Sequence, residues 1–250
     1  MMILHIALRE LRSLFLSPLA WTVLAVIQFI LGWRFLVQLD FFFSIQPQLA
    51  VLDNAPGVTD LVAAPLFEFA GMILLLILPL MTMRLLSEER RSGSLKLLLS
   101  SPLSMTDIVL GKYLAMVIFI ILVIALVAIM PLSLLFGTAL DLGKMAAGML
   151  GTLLMAAAFA AAGLYLSALT RYPTVAAVSS FGLLIMLLII DAAGGNQQAG
   201  PLFSYLSIMR HNTAMLRGII DSTDVAYYLL FGITFIALTI RQLDAQRLQK

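Results

Sequence analysis

Cysteine is absent, histidine occurs only twice, and charged residues make up only 11% of the 250 positions. Without cysteine there are no disulfides, no thiolate nucleophile and no cysteine-ligated metal. His5 and His211 lie too far apart in the chain to make a sequence-local ligand cluster. The motifs of intramembrane or soluble hydrolases, H-E-x-x-H and G-x-S-x-G, do not occur. Neither does the phosphate-binding G-x-x-x-x-G-K-[ST]: Gly111-Lys112 lacks the earlier glycine at the required spacing and the following Ser or Thr. What is present is apolar. Hydrophobic residues reach 62% and the mean hydropathy is +1.07. A soluble domain holds roughly 45–50% apolar residues and about a quarter charged ones. So few charges could not keep this much apolar surface in water. That excludes a cytosolic enzyme, a nucleic-acid binder and a disordered scaffold, and leaves an all-α membrane protein of several spans, with membrane lipid as a partner.

A span needs about 20 mostly apolar residues. Six stretches qualify, at 18–39, 66–86, 108–136, 144–168, 174–192 and 225–243. Pro18 suits a first helical turn, where its missing N–H costs nothing. Ser104 with Asp107 forms an S-x-x-D cap before the third stretch, and Asp221 and Asp224 stand where they could cap the sixth. Pro79 and Pro131 fall inside spans and should kink them. The start, MMILHIALRELRSLFLSP, reads as no cleavable signal, because Arg9, Glu10 and Arg12 interrupt it before an apolar run of sufficient length.

Basic residues favour the cytoplasmic side of a membrane. An even number of spans puts both termini on one side. Arg9, Arg12, Arg84, Arg90, Arg91, Lys96, Lys112, Arg171, Arg241, Arg247 and Lys250 then share it, against Lys144, Arg210 and Arg217 opposite. The expectation is a multi-pass protein of a bacterial inner membrane with cytoplasmic N- and C-termini.

Three segments do not span. In residues 1–17, His5, Arg9, Arg12 and Ser13 follow helical spacing on one side, with Ile3, Ile6, Leu11, Leu14 and Phe15 on the other. This predicts an elbow helix lying in the cytoplasmic interface, against the blander alternative of a basic tail. Residues 87–107 form a cytoplasmic loop. It carries Glu88, Glu89, Arg90 and Arg91, then Gly93, a short apolar helix with Leu95, Leu98 and Leu99, and finally Pro102. Gly93 can take positive φ and Pro102 ends what precedes it, which makes the piece between them a separate, grippable element. A solvated loop is the alternative. Residues 193–224 are too apolar for a free loop and too broken to span, so short re-entrant or interfacial helices are expected on the outer side.

Inside the membrane, Arg34 and Glu68 fall at similar shallow depths on consecutive antiparallel spans. They can pair, or each can snorkel to the headgroups. In the fourth span Gly148, Thr152, Ala156 and Ala160 recur every four residues. They form a close-packing face that serves either the chain's own bundle or a subunit interface.

The run SEERRSGSLKLLLSSPLSMTDIVLGKYLA resembles the E-E-basic-x-G-T-x-E-x-L-L-x-x-P…G-K stretch of type-2 permeases of ATP-binding-cassette exporters (ABC-2 class). RELRSLFLSPLAWTVLAV and LRGIIDSTDVAYYLLF are similar to the gliding-motility-associated permease subgroup. The resemblance implies a half-sized, non-enzymatic permease. It has no cofactor of its own, ATP and Mg being bound by two separate ABC ATPase subunits. The other partner is a second permease copy or a related permease, which could bring an outer-domain subunit. It further implies that Glu88, Glu89, Arg90, Arg91, Gly93, Leu95, Leu98, Leu99 and Pro102, with Arg9 and Arg12 of the elbow, make the ATPase-coupling element. In that role Glu88 and Glu89 offer acceptors to basic groups of the partner. Lys96 stands where the family often has an acid. Transport is the leading function. A mechanotransmission subunit that relays ATPase work without carrying cargo is the alternative, and the short outer loops disfavour it.

Overall fold

The computed structural model describes residues 2–49, 56–94, 104–194 and 207–248, and among them there is no strand. The elements are α1 (Met2–Leu16), α2 (Pro18–Leu49), a π-helical turn (Thr59–Ala63), α3 (Ala64–Thr82), α4 (Arg84–Ser92) and α5 (Met105–Leu132). A 3-10 turn (Ser133–Phe136) follows, then α6 (Leu142–Leu169), α7 (Pro173–Gly194), α8 (Ile208–Leu216) and α9 (Ser222–Leu248). Among the described residues six helical stretches are long and apolar enough to cross a membrane: Pro18–Leu49, Thr59–Ser92, Met105–Phe136, Leu142–Leu169, Pro173–Ile190 and Ser222–Arg247.

Helix α6 is the axis of the bundle. Of its most apolar stretch 61% is buried, against 22% in both α7 and α9 and 28% in α2. It packs on α3, α5, α7, α8 and α9. Small residues make this possible, because lipid gives apolar helices no reason to associate and only close approach does. Gly148, Thr152, Ala156 and Ala160 are all buried within the chain. A Cβ on Gly148 would lie 3.3 Å from Leu216 of α8 and 3.7 Å from Phe67 of α3. The four-residue face thus serves the chain's own packing.

The helix ends follow local chemistry. Ser104 Oγ accepts from the Asp107 N–H at 3.0 Å and donates to its carboxylate at 2.6 Å, the expected S-x-x-D cap. Asp141 caps α6 through the Lys144 N–H at 3.0 Å. Asp221 accepts from the hydroxyl and the N–H of Thr223, which hold its carboxyl below the usual range. Asp224 turns inward instead, to His211.

Two boundaries depart from the hydropathy reading. Helix α2 continues ten residues beyond the expected end at 39, because hydropathy marks where apolar side chains stop and not where backbone hydrogen bonds stop. The second span is interrupted at Met83, between α3 and α4, where the residue keeps right-handed helical φ and ψ and its N–H still donates to the Pro79 carbonyl at 3.0 Å. Within residues 193–224, expected on the outer side, α8 packs into the bundle against α6, α7 and α3, with Ile208, His211, Asn212, Met215 and Leu216 buried.

Candidate functional site

The break at Met83 is spliced by a side chain from another helix. Ser167 of α6 donates its hydroxyl hydrogen to the Met83 carbonyl at 2.9 Å and accepts from the N–H groups of Leu86 and Ser87, each at 3.1 Å. One hydroxyl thereby uses its donor and both lone pairs to satisfy backbone groups left open where one helix ends and the next begins. Ser87 Oγ adds a bond to the Met83 carbonyl. Helix α4 is therefore a short arm that continues from α3 and is held to α6.

The arm ends at Gly93, whose φ of +78° and ψ of −4° place it in the left-handed region that glycine enters without strain. Ser92 and Ser94 hydroxyls reach back to the Glu89 carbonyl. Glu88 and Arg91 are exposed on this arm, whereas Arg90 is half-buried.

Glu89 points inward. Its Oε1 lies 2.8 Å from the Lys112 ammonium of α5, and that ammonium also meets Glu10 Oε1 of α1 at 3.0 Å. Arg9 closes on the same Glu10 oxygen at 3.1 Å. Lys112 is 2% exposed, so three helices distant in sequence converge on one buried cation. Removing one member of such a set strands the remaining charges away from water. The sequence reading assigned both Glu88 and Glu89 to an outside partner. In the structure only Glu88 stands free for one, and Glu89 is bonded within the chain.

Helix α1 reaches this point because of Gly111. A Cβ there would stand 2.6 Å from Ile6 Cγ2 and 3.1 Å from the Ile3 carbonyl, so a side chain would push the elbow off α5. The elbow's other end is fixed by Trp21, whose Nε1 donates to the Phe15 carbonyl at 2.9 Å while the two rings meet edge-on at 5.5 Å. Between α1 and the α3–α4 arm lies a cleft of about 660 Å³. Arg9 and Ser13 line one wall, Arg84 and Glu88 the other, and Lys112 lies between them. Arg12, on the elbow's polar side, is exposed outside it. The arrangement is mechanical in character. Helix α4 is tied to α1 and α5 through Lys112, is bonded to α6 by Ser167, and packs directly on α6, α7 and α3.

Leu95, Leu98, Leu99 and Pro102 lie outside the described residues. Arg34 and Glu68 are not brought together: among the described residues no ion pair joins them, Glu68 is exposed, and Arg34 stands 5.5 Å over the Phe69 ring. The neighbouring ring, one position along α3, takes the place expected for the carboxylate.

At the opposite end of the bundle, His211 Nδ1 and Asp224 Oδ1 are 2.5 Å apart, and the imidazole stacks on Tyr227 at 4.4 Å. The Tyr228 hydroxyl donates to the Ile208 carbonyl at 2.6 Å. Lys144 pairs with Asp60 at 2.9 Å, and the Asp141 N–H donates to Thr59 Oγ1 at 2.9 Å. No group of three or more metal-ligating side chains occurs among the described residues.

Sequence reasoning missed Glu10, Lys112 and Ser167 as parts of one device. A lone lysine just inside a span, beside a glycine, was the available signal. Residues 4–241 match the family model described as ABC-2 family transporter protein. No curated protein matches the chain.

Proposed function

Because the chain belongs to the ABC-2 transporter family, a membrane family of transport permeases, we propose that it is the membrane-spanning subunit of an exporter in a bacterial inner membrane. Two separate ATPase subunits, which bind ATP and Mg, drive it from the cytoplasmic side, where both termini lie. The chain moves a substrate and does no chemistry itself. Its second permease is another copy or a related chain. The resemblance to the gliding-motility subgroup favours a mixed complex with an outer-domain partner.

The observation that carries this reading is the double attachment of Lys112, to Glu10 on one side of the cleft and Glu89 on the other. An ATPase that displaces the α4 arm must change the distance between these carboxylates, and so move α1 against α5. A nucleotide state can shift the permease only by binding its two conformations differently. A cleft bridged at a single point is a place where two such conformations can differ. Exposed Glu88 and Arg91, with Gly93 setting where the arm stops, face the ATPase.

The chain's lack of cysteine makes the test direct. Ser13→Cys and Arg84→Cys on opposite walls of the cleft are bridged with a short bis-maleimide in membranes holding the co-expressed ATPase. Cross-linking yield is expected to differ at least severalfold between ATP-trapped and nucleotide-free complexes. Equal yields in both states would sink the coupling assignment.

A further inference from the structure

A second, smaller cavity of about 280 Å³ opens between the α4 arm and the start of α7. Met83, Arg84, Glu88 and Arg91 line it from one side, and Tyr172, Pro173 and Thr174 from the other. Arg90 and Arg171 are each next in sequence to a lining residue, and the charge of Arg171 acts on Arg90. Basic residues near a membrane surface need no ligand to explain them. Here the surroundings ask for one. Lys112 and Lys144 each hold a carboxylate, as does Arg9. Among the described residues, none of Arg84, Arg90, Arg91 and Arg171 makes a salt bridge. Glu88 stands four positions after Arg84 and three before Arg91, spacings that allow helical ion pairs, yet neither pair forms. Arg90 is half-buried, and a buried charge is costly unless it is paired. A like charge beside it adds to the cost. An anion in the cavity would offset both.

The walls select the kind of anion. Pro173 begins a stretch apolar enough to cross a membrane, so Arg171 and Tyr172 stand where headgroups lie. Tyr172 is exposed, as aromatic residues at that level commonly are. Thr174, which lines the cavity, shares a face of α7 with Val178, Ile185 and Ile189, all within about 60° at 100° per residue. Those three apolar residues are exposed, on the side away from buried Ala176, Ser180 and Leu184. An apolar ridge thus leads from the cavity into the hydrocarbon layer. We propose that this cavity binds the phosphate of an anionic phospholipid whose acyl chain lies along that ridge. Guanidinium groups match phosphate oxygens with paired donors. Arg84 and Arg91 hold the phosphate from the arm and Arg171 from the start of α7, while its charge relieves the crowding of Arg90 with Arg171. A lipid so held bridges the arm to α7, beside the face that the coupling reading turns to the ATPase.

Because the chain has no cysteine, Val178→Cys places a single label on the ridge, one helical turn from Thr174. The full chain with a nitrobenzoxadiazole fluorophore there is set in phosphatidylcholine nanodiscs. These are doped with phosphatidylglycerol or phosphatidylcholine carrying a nitroxide high on the acyl chain. Half-maximal quenching is expected at about tenfold lower mole fraction of the nitroxide phosphatidylglycerol, since clustered basic side chains and paired charge-assisted bonds favour the anionic lipid. Replacing Arg84, Arg91 and Arg171 together by glutamine should erase the preference. Replacing Arg12, Arg241 and Arg247, the same number of charges elsewhere at that end, should leave it. Equal losses in the two triple variants, each monodisperse, would show diffuse surface attraction and overturn the site. Millimolar inorganic phosphate should leave quenching unchanged, and relief by it would assign the cavity to a soluble anion and overturn the lipid. Equal quenching by both lipids in the parent would overturn it too, and leave the arginines to an acidic protein segment. No ATPase enters the experiment, so its failure leaves the coupling reading standing.

Discussion

The two ends of the bundle handle polar groups in opposite ways. At the amino-terminal end, Glu10, Glu89 and Lys112 come from three helices, and their bonds bridge a cleft. At the far end, His211 and Asp224 lie 13 residues apart on neighbouring helices, with Tyr227 stacked on the imidazole and Tyr228 edge-on to both rings. A local pair stitches a corner shut. A long-range pair across a cavity ties together elements that could otherwise part. The first arrangement suits a fixed frame, and the second suits a joint.

Breaking the joint should have the largest effect. Lys112→Met leaves two carboxylates facing each other without their cation, and truncating a buried pair typically costs about 3–5 kcal/mol. The midpoint of thermal unfolding in detergent should fall accordingly, and protease should cut between α1 and α2. The triple variant Glu10→Gln, Lys112→Met, Glu89→Gln should recover most of the loss. If the single variant unfolds like the parent, the cluster ties nothing. Ser167→Ala comes next, since it orphans the N–H groups of Leu86 and Ser87 while the Met83 carbonyl keeps the Ser87 hydroxyl, each buried group left open costing roughly 1–3 kcal/mol with relaxation sharing the load. Faster amide exchange confined to Leu86 and Ser87 is the expected signature, and uniform exchange across the chain would contradict the splice.

At the fixed end, Asp224→Asn keeps one hydrogen bond to His211 but removes its charge. A loss of about 1–2 kcal/mol is expected, without change in cleft cross-linking. A cross-linking change would mean that the two ends are not mechanically separate. Lys144→Ala removes an exposed pair with Asp60, and surface pairs contribute little. Its unfolding midpoint should match the parent's, and a clear drop would show that the far end relies on charge as much as the near one does.

This contrast also explains what could be read from the chain alone. The six helices, the two-sided elbow at Arg9 and Arg12 and the Ser104 cap rest on periodicity or on neighbours a few positions apart, which a sequence displays directly. Lys112 was legible only as one more basic residue, because Glu10 is 102 positions away and the contact depends on Gly111 admitting Ile6. The splice by Ser167 joins positions about 80 apart and replaces backbone bonds, leaving no trace in composition. Arg34 and Glu68 were matched by depth and sign, yet depth does not fix azimuth. On an α-helix one position is a turn of about 100°, enough to exchange Glu68 for Phe69.

Helix α2 has 32 residues, a rod of about 48 Å if straight, against a hydrocarbon layer of about 30 Å. The excess must appear as tilt, as local thickening of the bilayer, or as a mast standing into the far-side water. Its last residues, SIQPQL, bring in Ser44, Gln46 and Gln48, and three phenylalanines at 41–43 precede them, so the sequence grades from apolar to more polar along one helix. A rod of this kind converts membrane thickness into an angle. The same chain would lean further in a thin bilayer than in a thick one, and Pro18, where α2 leaves the elbow, would be its pivot.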